Sequence, residues 1–459
     1  MRQQSLYDCP SVFDRIWPAT DDLPMSIRGG AATALRNLLR NPLLAIKAIR
    51  ALKKSGISRM KRVLLKGTKN QHLITALLDN GKQRRSMLLP NPLLHEATQQ
   101  RFSHEATSQL ARVFAYYHPA FQQTEFNDKA WGEGFTEWTS VLSGSSRFDG
   151  HYQPRIPLDY NFYDQSDEST VKRQIDLASG AGITGMIFYS YFSDGEVRFK
   201  EPLTHFRSAG SMPWLSMWCN QNWTKRWNGS DSELLWRQTY ESDQLMVDYF
   251  AEQFSDPMYE KISGRPLFII YLAREIPGGA SQVAKWRALF KSRHQCNPVI
   301  LAAQYGSITL TDALALGFDG LAGHSDWYRR NKQLPIAVKR YSNISSGHYV
   351  SYKNYGIKYL KRSRDSSREI SVAQPDWDND ARYNDCGQGF LGSTPPLYEE
   401  HLFDLCRAAL DAPFLGARPY VFINAWNEWA EAAYLEPDLH YGYAYLNATA
   451  RAISRSARS

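Results

Sequence analysis

From residue 111 onward, the chain alternates between two patterns of apolar and polar positions. Short apolar runs rich in β-branched and aromatic residues predict buried strands, whereas longer stretches that fit helical spacing predict helices. Strands that alternate with helices favour a parallel sheet with crossover helices. The predicted strands cover residues 112–117, 185–191, 213–219, 266–272, 298–303, 317–322, 369–373 and 419–423, and the predicted helices cover 168–179, 242–254, 282–291 and 398–412.

Eight strands in this order close most simply into a (β/α)8 barrel, so we predict an α/β fold with a TIM-type barrel. Functional side chains in such barrels lie at the carboxyl ends of the strands. Polar and aromatic residues follow the predicted strand ends in this chain, where a substrate would bind. On this basis the candidate substrate-binding residues are Tyr117, His118, Tyr191, Trp218, Asn220, Asn222, Trp223, Tyr305, Trp377 and Asp378.

Charge separates the N-terminal part of the chain from the rest. Residues 1–110 hold 18 Lys and Arg against 7 Asp and Glu, whereas residues 111–459 hold 36 against 39. We therefore predict a basic, mainly helical N-terminal region over 1–110, the barrel domain over 111–450, and a short tail over 451–459.

A helix is predicted within the basic region over residues 42–54. Asn41 and Pro42 are typical of a helix start, and Gly56 is typical of a helix end. Basic residues between 28 and 69 indicate either peripheral contact with an anionic membrane surface or a helix packed on the barrel with its basic face in solvent. Nucleic acid is not an expected partner, because no aromatic residues interleave the basic ones.

The composition indicates a folded protein of a reducing compartment. The chain is 43% hydrophobic, and its five Cys are scattered and odd in number, which does not favour a disulfide framework or a zinc site. We find neither a secretory signal nor an apolar run near the roughly 20 residues of a membrane span. A cytoplasmic location is expected, with peripheral association to the inner membrane as an option.

Two carboxylates follow the last predicted strand. If the chain turns helical there, Glu428 and Glu431 stand on one face with Cβ atoms roughly 5–6 Å apart. Retaining glycosidases place their carboxyl groups about 5–5.5 Å apart and inverting ones about 6.5–9.5 Å apart, so the pair predicts acid/base catalysis on a sugar. A solvated surface helix is the alternative, which the neighbouring Trp426, Asn427 and Trp429 disfavour.

Further motifs extend this picture over most of the chain. They are WGEGFTEW at 131–138, HYQPR at 151–155, NWTKRWNG at 222–229, WDN at 377–379 and YGYAY at 441–445. With them the sequence resembles the WbsX-type glycosyltransferase family over roughly residues 110–450. Its members are associated with lipopolysaccharide O-antigen assembly, and their catalytic domain is similar to glycoside hydrolase family 99.

The resemblance implies roles for the two carboxylates. In those hydrolases the first Glu of Glu-Trp-x-Glu takes a proton from the sugar 2-hydroxyl, which gives a 1,2-anhydro intermediate, and the second Glu is the general acid. Glu428 is thereby implied as base and Glu431 as acid. Ala430 stands where the hydrolases have His, and Ala432 where related sequences usually have Gly, so substrate and reaction direction stay open.

A sugar cleft also needs flat apolar faces and planar hydrogen-bonding groups. We expect Trp426, Asn427 and Trp429 to supply them beside the carboxylates. Arg226 could pair with a sugar phosphate or carboxylate, or serve in a structural ion pair. Glu133, on the loop after the first strand, could bind substrate or stabilise a helix start.

No cofactor is expected. The G-x-G-x-x-G pattern at 180–185 ends a helix and opens a strand, the reverse of the order in a dinucleotide site. We expect no metal dependence either. The sequence thus predicts a carbohydrate-active enzyme of bacterial surface polysaccharide biosynthesis that transfers or cleaves glycosyl groups of a glycan or lipid-linked saccharide. The alternatives are a retaining endo-glycosidase that only hydrolyses, and a non-catalytic glycan-binding barrel.

Overall fold

The barrel predicted from the sequence is confirmed. A computed structural model describes residues 89–103, 109–225, 233–305, 308–324, 348–354, 367–383 and 387–457. Its eight principal strands are β1 (Arg112–Tyr117), β2 (Gly185–Ser193), β3 (Trp214–Trp218), β4 (Arg265–Ile270), β5 (Val299–Ala303), β6 (Gly320–Ala322), β7 (Glu369–Ala373) and β8 (Tyr420–Ile423).

These strands pair in sequence order, each parallel to the next. The sheet closes on itself because β1 also pairs in parallel with β8, with Val113 opposite Val421. A closed sheet has no unpaired edge strands, and all carboxyl ends meet at one rim. Every residue of β3 and β5 is buried, as expected for strands covered on both faces.

Helices surround the sheet, and several begin at a residue that caps them. Asp167 accepts a hydrogen bond from the backbone N–H of Ser169, and Ser242 accepts one from that of Leu245, which satisfies otherwise unpaired donors. The four predicted helices are all present. The helices are α1 (Glu125–Trp131), α2 (Glu137–Ser143), α3 (Glu168–Gly180), α4 (Glu201–Ala209), α5 (Asp243–Phe254), α6 (Ala280–His294), α7 (Leu310–Ala315), α8 (Asp380–Tyr383), α9 (Pro395–Asp411) and α10 (Ala444–Ser456).

Shorter helices and strands lie at the rim of the barrel and in the connections between its strands. Among the described residues, three single-turn 3-10 helices cover Leu158–Tyr160, Ala273–Glu275 and Trp429–Glu431. Short strands outside the barrel cover Glu196–Arg198, Trp223–Thr224, Leu234–Trp236, Lys261–Ile262, His348–Ser351, Gln388–Leu391, Asn427–Glu428 and Ala433–Tyr434.

The segment 89–103 packs beside the last helix of the barrel. The backbone N–H of Glu96 donates to Tyr441 O at 3.1 Å, and the side chain of Asn447 accepts from the backbone N–H of Gln100 at 2.7 Å. Helix α10 continues through Ser456, past the boundary expected at residue 450. The helix predicted over 42–54 lies outside the described residues. In the described part of the chain, no helix is both long and apolar enough to cross a bilayer.

One glycine of β2 has no room for a side chain. A Cβ atom at Gly185 would lie 2.3 Å from Pro213 O and 2.4 Å from a ring carbon of Phe114. We expect Gly185→Ala to lower the free energy of unfolding by about 1–3 kcal/mol, since the barrel strands must separate to admit the methyl group. Chemical denaturation followed by circular dichroism measures the change. Ser179→Ala, on the exposed face of α3, is the control, and equal midpoints for the two variants would contradict the expectation.

Candidate active site

A cavity of about 580 Å³ opens at the carboxyl ends of the barrel strands. Residues that directly follow several different strands contribute to its wall, as the parallel barrel requires. Of the predicted site residues, eight line this cavity. They are His118, Tyr191, Asn222, Trp223, Tyr305, Trp377, Glu428 and Glu431.

The segment that carries the two glutamates is not α-helical, which corrects the geometry considered from the sequence. Asn427 and Glu428 form a short strand paired in antiparallel fashion with Ala433–Tyr434. Trp429–Glu431 is a single 3-10 turn, and Ala432 ends it with a φ of +54°. The two carboxylates are therefore brought together by this tight turn and by a shared cation, rather than by the spacing of a helix.

That cation is Arg382, on the short helix α8 after β7. Its Nη1 donates to Glu431 Oε1, its Nη2 donates to Glu428 Oε2 at 3.1 Å, and its Nε and Nη2 donate to Glu137 Oε1 at 3.0 and 2.7 Å. The two active-site candidates therefore contact the two terminal nitrogens of one planar guanidinium group. A rigid fork of this kind fixes carboxylates more tightly than an ammonium group would.

The surroundings of Glu428 and Glu431 raise the pKa of both carboxyl groups. Burial raises the pKa of Glu428, with Arg382 opposing and Glu137 reinforcing the rise. Burial also raises the pKa of Glu431, with Arg382 opposing and Glu428 reinforcing. Because three carboxylates surround one guanidinium, full ionisation would leave excess negative charge in a partly dry site.

His118 follows β1 and lies beside Glu428, with 3.6 Å between His118 Nδ1 and Glu428 Oε1. The side chain of Asn427 forms two hydrogen bonds with the backbone of His118. Asn427 Oδ1 accepts from the His118 N–H at 2.7 Å, and Asn427 Nδ2 donates to the His118 C=O at 2.9 Å. Burial lowers the pKa of His118 to about 4, so the ring is neutral at pH 7.

The loop after β7 fixes Glu431 from a second direction. The indole of Trp377 donates to Glu431 Oε2 at 3.2 Å, and the backbone N–H of Asp378 donates to Glu431 O at 2.7 Å. The Asp378 side chain pairs with His151 at 2.5 Å beneath the loop. Asp378 is thus buried under the site and outside the cavity wall, where it supports the loop.

Three predicted indoles lie outside the cavity wall. Trp218 donates to Phe192 O at 2.9 Å, and Trp429 donates to Glu436 Oε2 at 2.7 Å. Trp426 is fully buried. For Trp218 the reason is the two-residue period of extended chain: Met217 and Cys219 line the cavity, and Trp218 between them points outward to the helices.

The same alternation explains Tyr117, whose hydroxyl donates to Gln174 of α3 at 2.6 Å, while His118 reaches the cavity. Asn220 also has a local contact, accepting from the backbone N–H of Leu272 at 2.8 Å. Asn427 is buried behind His118, as described above.

Two further predicted residues lie elsewhere. Glu133 is exposed, on the loop between α1 and α2, outside the cavity lining. Arg226 falls outside the described residues. The substrate-binding roles of these two residues, like those of the other candidates, stay predictions.

Sequence reasoning missed Arg382 and did not select Glu137 as a site residue. The available signal was electrostatic: several acidic residues converging on one rim need a cation, and Arg382 closely follows the acidic cluster after β7. Among the described residues, no group of three or more His, Cys, Asp and Glu is arranged to hold a metal ion.

Comparison with known proteins identifies relatives of the chain. A family model described as Glycosyltransferase WbsX matches residues 113–449. Two curated relatives named "Uncharacterized protein WxcX", from two strains of Xanthomonas campestris pv. campestris, are each 31% identical to it over 355 residues. The match covers 75% of this chain and 50% of each relative, so the chain spans about half the length of the curated relatives it matches.

Solved structures show weaker likeness. A GH99 endo-alpha-mannosidase from Bacteroides thetaiotaomicron is 14% identical, with a TM-score of 0.47 over 75% of this chain and 97% of that one. A chain described as a glycoside hydrolase-like protein is 13% identical, with a TM-score of 0.47 over 80% of this chain and 98% of that one.

Removing the central cation should destabilise the fold. We expect Arg382→Gln to lower the free energy of unfolding by about 3–5 kcal/mol at pH 7, because carboxylates that paired with it would lose their partner. The loss should shrink as the pH falls through the raised pKa values of Glu428 and Glu431, since protonated carboxyls no longer need a cation. Denaturant unfolding at a series of pH values measures both effects.

Arg207→Gln is the matched control for this variant. Arg207 also bridges two carboxylates, those of Glu252 and Asp256, but at the surface. Its loss should cost about 0–1 kcal/mol. A cost for Arg382→Gln no larger than this control, or one that grows toward low pH, would contradict the assignment.

Proposed function

The chain belongs to the WbsX glycosyltransferase family, and from that membership we propose that it transfers or cleaves glycosyl groups during assembly of a bacterial surface polysaccharide such as the O-antigen. It is a carbohydrate-active enzyme by family. The observation that carries the finer proposal is the pair Glu428 and Glu431, which share one guanidinium at the wall of a cavity at the barrel's carboxyl end. A buried pair of this kind suits acid/base work on a glycosidic bond.

In the proposed reaction, Glu428 removes the proton from the attacking oxygen and Glu431 protonates the departing glycosidic oxygen. The attacking oxygen is the 2-hydroxyl of the same sugar in the route that the family resemblance implies. Burial raises the pKa of Glu431, which favours its protonated form and supports the acid role. Arg382 stabilises whichever carboxylate is ionised at each stage.

Asn427 and Trp377 act in this proposal by positioning. Asn427 holds His118 next to Glu428, and Trp377 holds Glu431 by its indole N–H. Neutral His118 then presents a hydrogen-bonding ring to the sugar without adding charge. These fixed groups orient the two carboxyls before substrate arrives, which lowers the reorganisation cost of the reaction.

Two alternatives to this proposal remain distinct. A retaining endo-glycosidase would use the same pair but pass the glycosyl group to water alone, and the buried carboxyl pair supports that chemistry equally. A non-catalytic glycan-binding barrel would use the cavity without either proton transfer. The identity of the glycosyl donor and acceptor distinguishes the endo-glycosidase from the proposed enzyme. The variants of Glu428 and Glu431 distinguish the glycan-binding barrel from it.

Removing either carboxyl should abolish activity while leaving the fold intact. We expect Glu428→Gln and Glu431→Gln each to reduce turnover by about 10²- to 10⁴-fold, the usual contribution of a general acid or base. Profiles of surface glycans from cells that carry only the variant measure the effect in vivo. Glu252→Gln, on the outer face of the barrel, is the control. Wild-type glycan profiles with both variants would leave only the binding-protein alternative.

The pH dependence should report both groups. The rate at low substrate concentration should rise as Glu428 loses its proton and fall as Glu431 loses its own, which gives a bell-shaped profile. Both limbs should lie above about pH 4.3, the ordinary pKa of a Glu side chain, because burial raises the pKa of both glutamates. A limb at or below that pH in steady-state kinetics would contradict the assignment.

We propose a cytoplasmic location, with peripheral contact to the inner membrane through basic residues between 28 and 69. We expect the triple variant Lys47→Glu, Arg50→Glu, Lys54→Glu to lose binding to anionic vesicles, and salt to weaken binding of the unaltered chain. Vesicle sedimentation measures both. Equal binding of the unaltered chain to neutral vesicles would reject the membrane contact.

A further inference from the structure

The described part of the cavity wall carries more acidic than basic side chains. Among the described residues that line it, the acidic ones are Glu137, Glu275, Glu428 and Glu431, and the basic one is Arg382. The two histidines of the wall add no positive charge at pH 7, because burial lowers the pKa of His118 to about 4 and that of His324 to about 3. An anionic ligand would therefore meet net repulsion in this part of the cavity.

Glu137 has no part in the proposed proton transfers, yet it makes a two-point contact with the cation. Arg382 Nε and Nη2 both donate to Glu137 Oε1, at 3.0 and 2.7 Å. Glu137 is only 3% exposed, and it comes from α2, a different rim segment from the motif after β8. Two of the three guanidinium nitrogens therefore donate to Glu137, and one of these two, Nη2, also donates to Glu428.

Uncharged hydrogen-bonding groups also face the cavity. Asn424 is 2% exposed and His118 is 7% exposed, and both line the wall. Asn424 Oδ1 and His118 Nε2 have no hydrogen-bond partner among the described residues. Buried polar atoms normally have partners, and sugar hydroxyl groups can donate to the amide oxygen and pair with the imidazole nitrogen. The side chains of Trp223 and Trp377 also line the cavity and add apolar surface for a sugar ring.

We infer that the cavity accepts a glycosyl unit without a carboxylate or phosphate substituent, and that Glu137 is the residue that enforces this choice. The inference rests on the proposed function, since it names the class of sugar that the glutamate pair acts on. Glu137 occupies the Nε and Nη2 donors of Arg382, the cation that would otherwise attract an anionic substituent. An acidic sugar then meets the wall carboxylates without compensation, whereas hydroxyl groups still find Asn424 and His118.

Binding of matched sugar pairs tests this inference without any turnover. The probes are the methyl glycosides of glucose and galactose and the corresponding methyl uronides, which differ only in a CH₂OH group or a carboxylate at C6. Dissociation constants come from ligand-observed NMR titration of the full chain. We expect each neutral glycoside to bind at least about tenfold more tightly than its uronide.

Variants of Glu137 then identify the residue responsible. Glu137→Gln should narrow the neutral-to-uronide ratio by about three- to tenfold, because Arg382 becomes available to the uronide carboxylate. Glu137→Asp keeps the charge and should keep most of the preference. Glu252→Gln, on the outer face of the barrel, should leave the ratio unchanged. Circular dichroism verifies that each variant is folded.

Uronides that bind as tightly as the neutral glycosides would overturn the inference, as would the absence of binding by every probe. A preference that survives Glu137→Gln unchanged would overturn the role of Glu137. If Glu137→Gln does not fold, the inference is tested by two measurements: the preference of the unaltered chain for neutral glycosides over uronides, and the retention of that preference in Glu137→Asp. Failure of the proposed function is recognised separately: the sugar preference would persist while Glu428→Gln and Glu431→Gln leave cellular glycans unaltered.

Discussion

The interaction on which the site depends is the contact of one buried guanidinium, that of Arg382, with three carboxylates. An arginine removed from water must be paired, and each of its partners must in turn have a cation. Glu137, Glu428 and Glu431 come from the connection after β1 and from the segment after β8, while Arg382 comes from the connection after β7. One ion cluster therefore ties three neighbouring rim segments into a single arrangement.

The closed barrel makes this cluster possible. Because β8 pairs with both β7 and β1, their carboxyl ends are adjacent, and the segments that follow them are forced into contact. The two glutamates of the cluster also differ in exposure to solvent. Glu428 is nearly enclosed, whereas the side chain of Glu431 keeps a quarter of its surface exposed. A difference in access of this kind suits one group that acts on a shielded hydroxyl and another that acts on an oxygen joined to a longer chain.

The fold could be predicted well from the sequence because each barrel strand is long and apolar enough to be recognised from its own run of residues. The bounds of β1 and β7 were predicted to the residue. Side-chain direction was harder, since at a strand end a shift of one position separates the cavity from the outer layer. Tyr117 and Trp218 point outward for this reason, whereas His118 lines the cavity. Arg382 could not be chosen from local pattern, because its partners lie up to 245 residues away in the chain.

The hydrogen bonds between Asn427 and His118 span 309 residues of sequence. They join the first barrel strand to the last across the seam where the sheet closes. A chain emerging from the ribosome can fold its early strand and helix units against one another, yet it cannot complete this seam until the final strand has been synthesised. His118 therefore gains its neighbours Asn427 and Glu428 only at the end of synthesis, after every earlier barrel strand has been made.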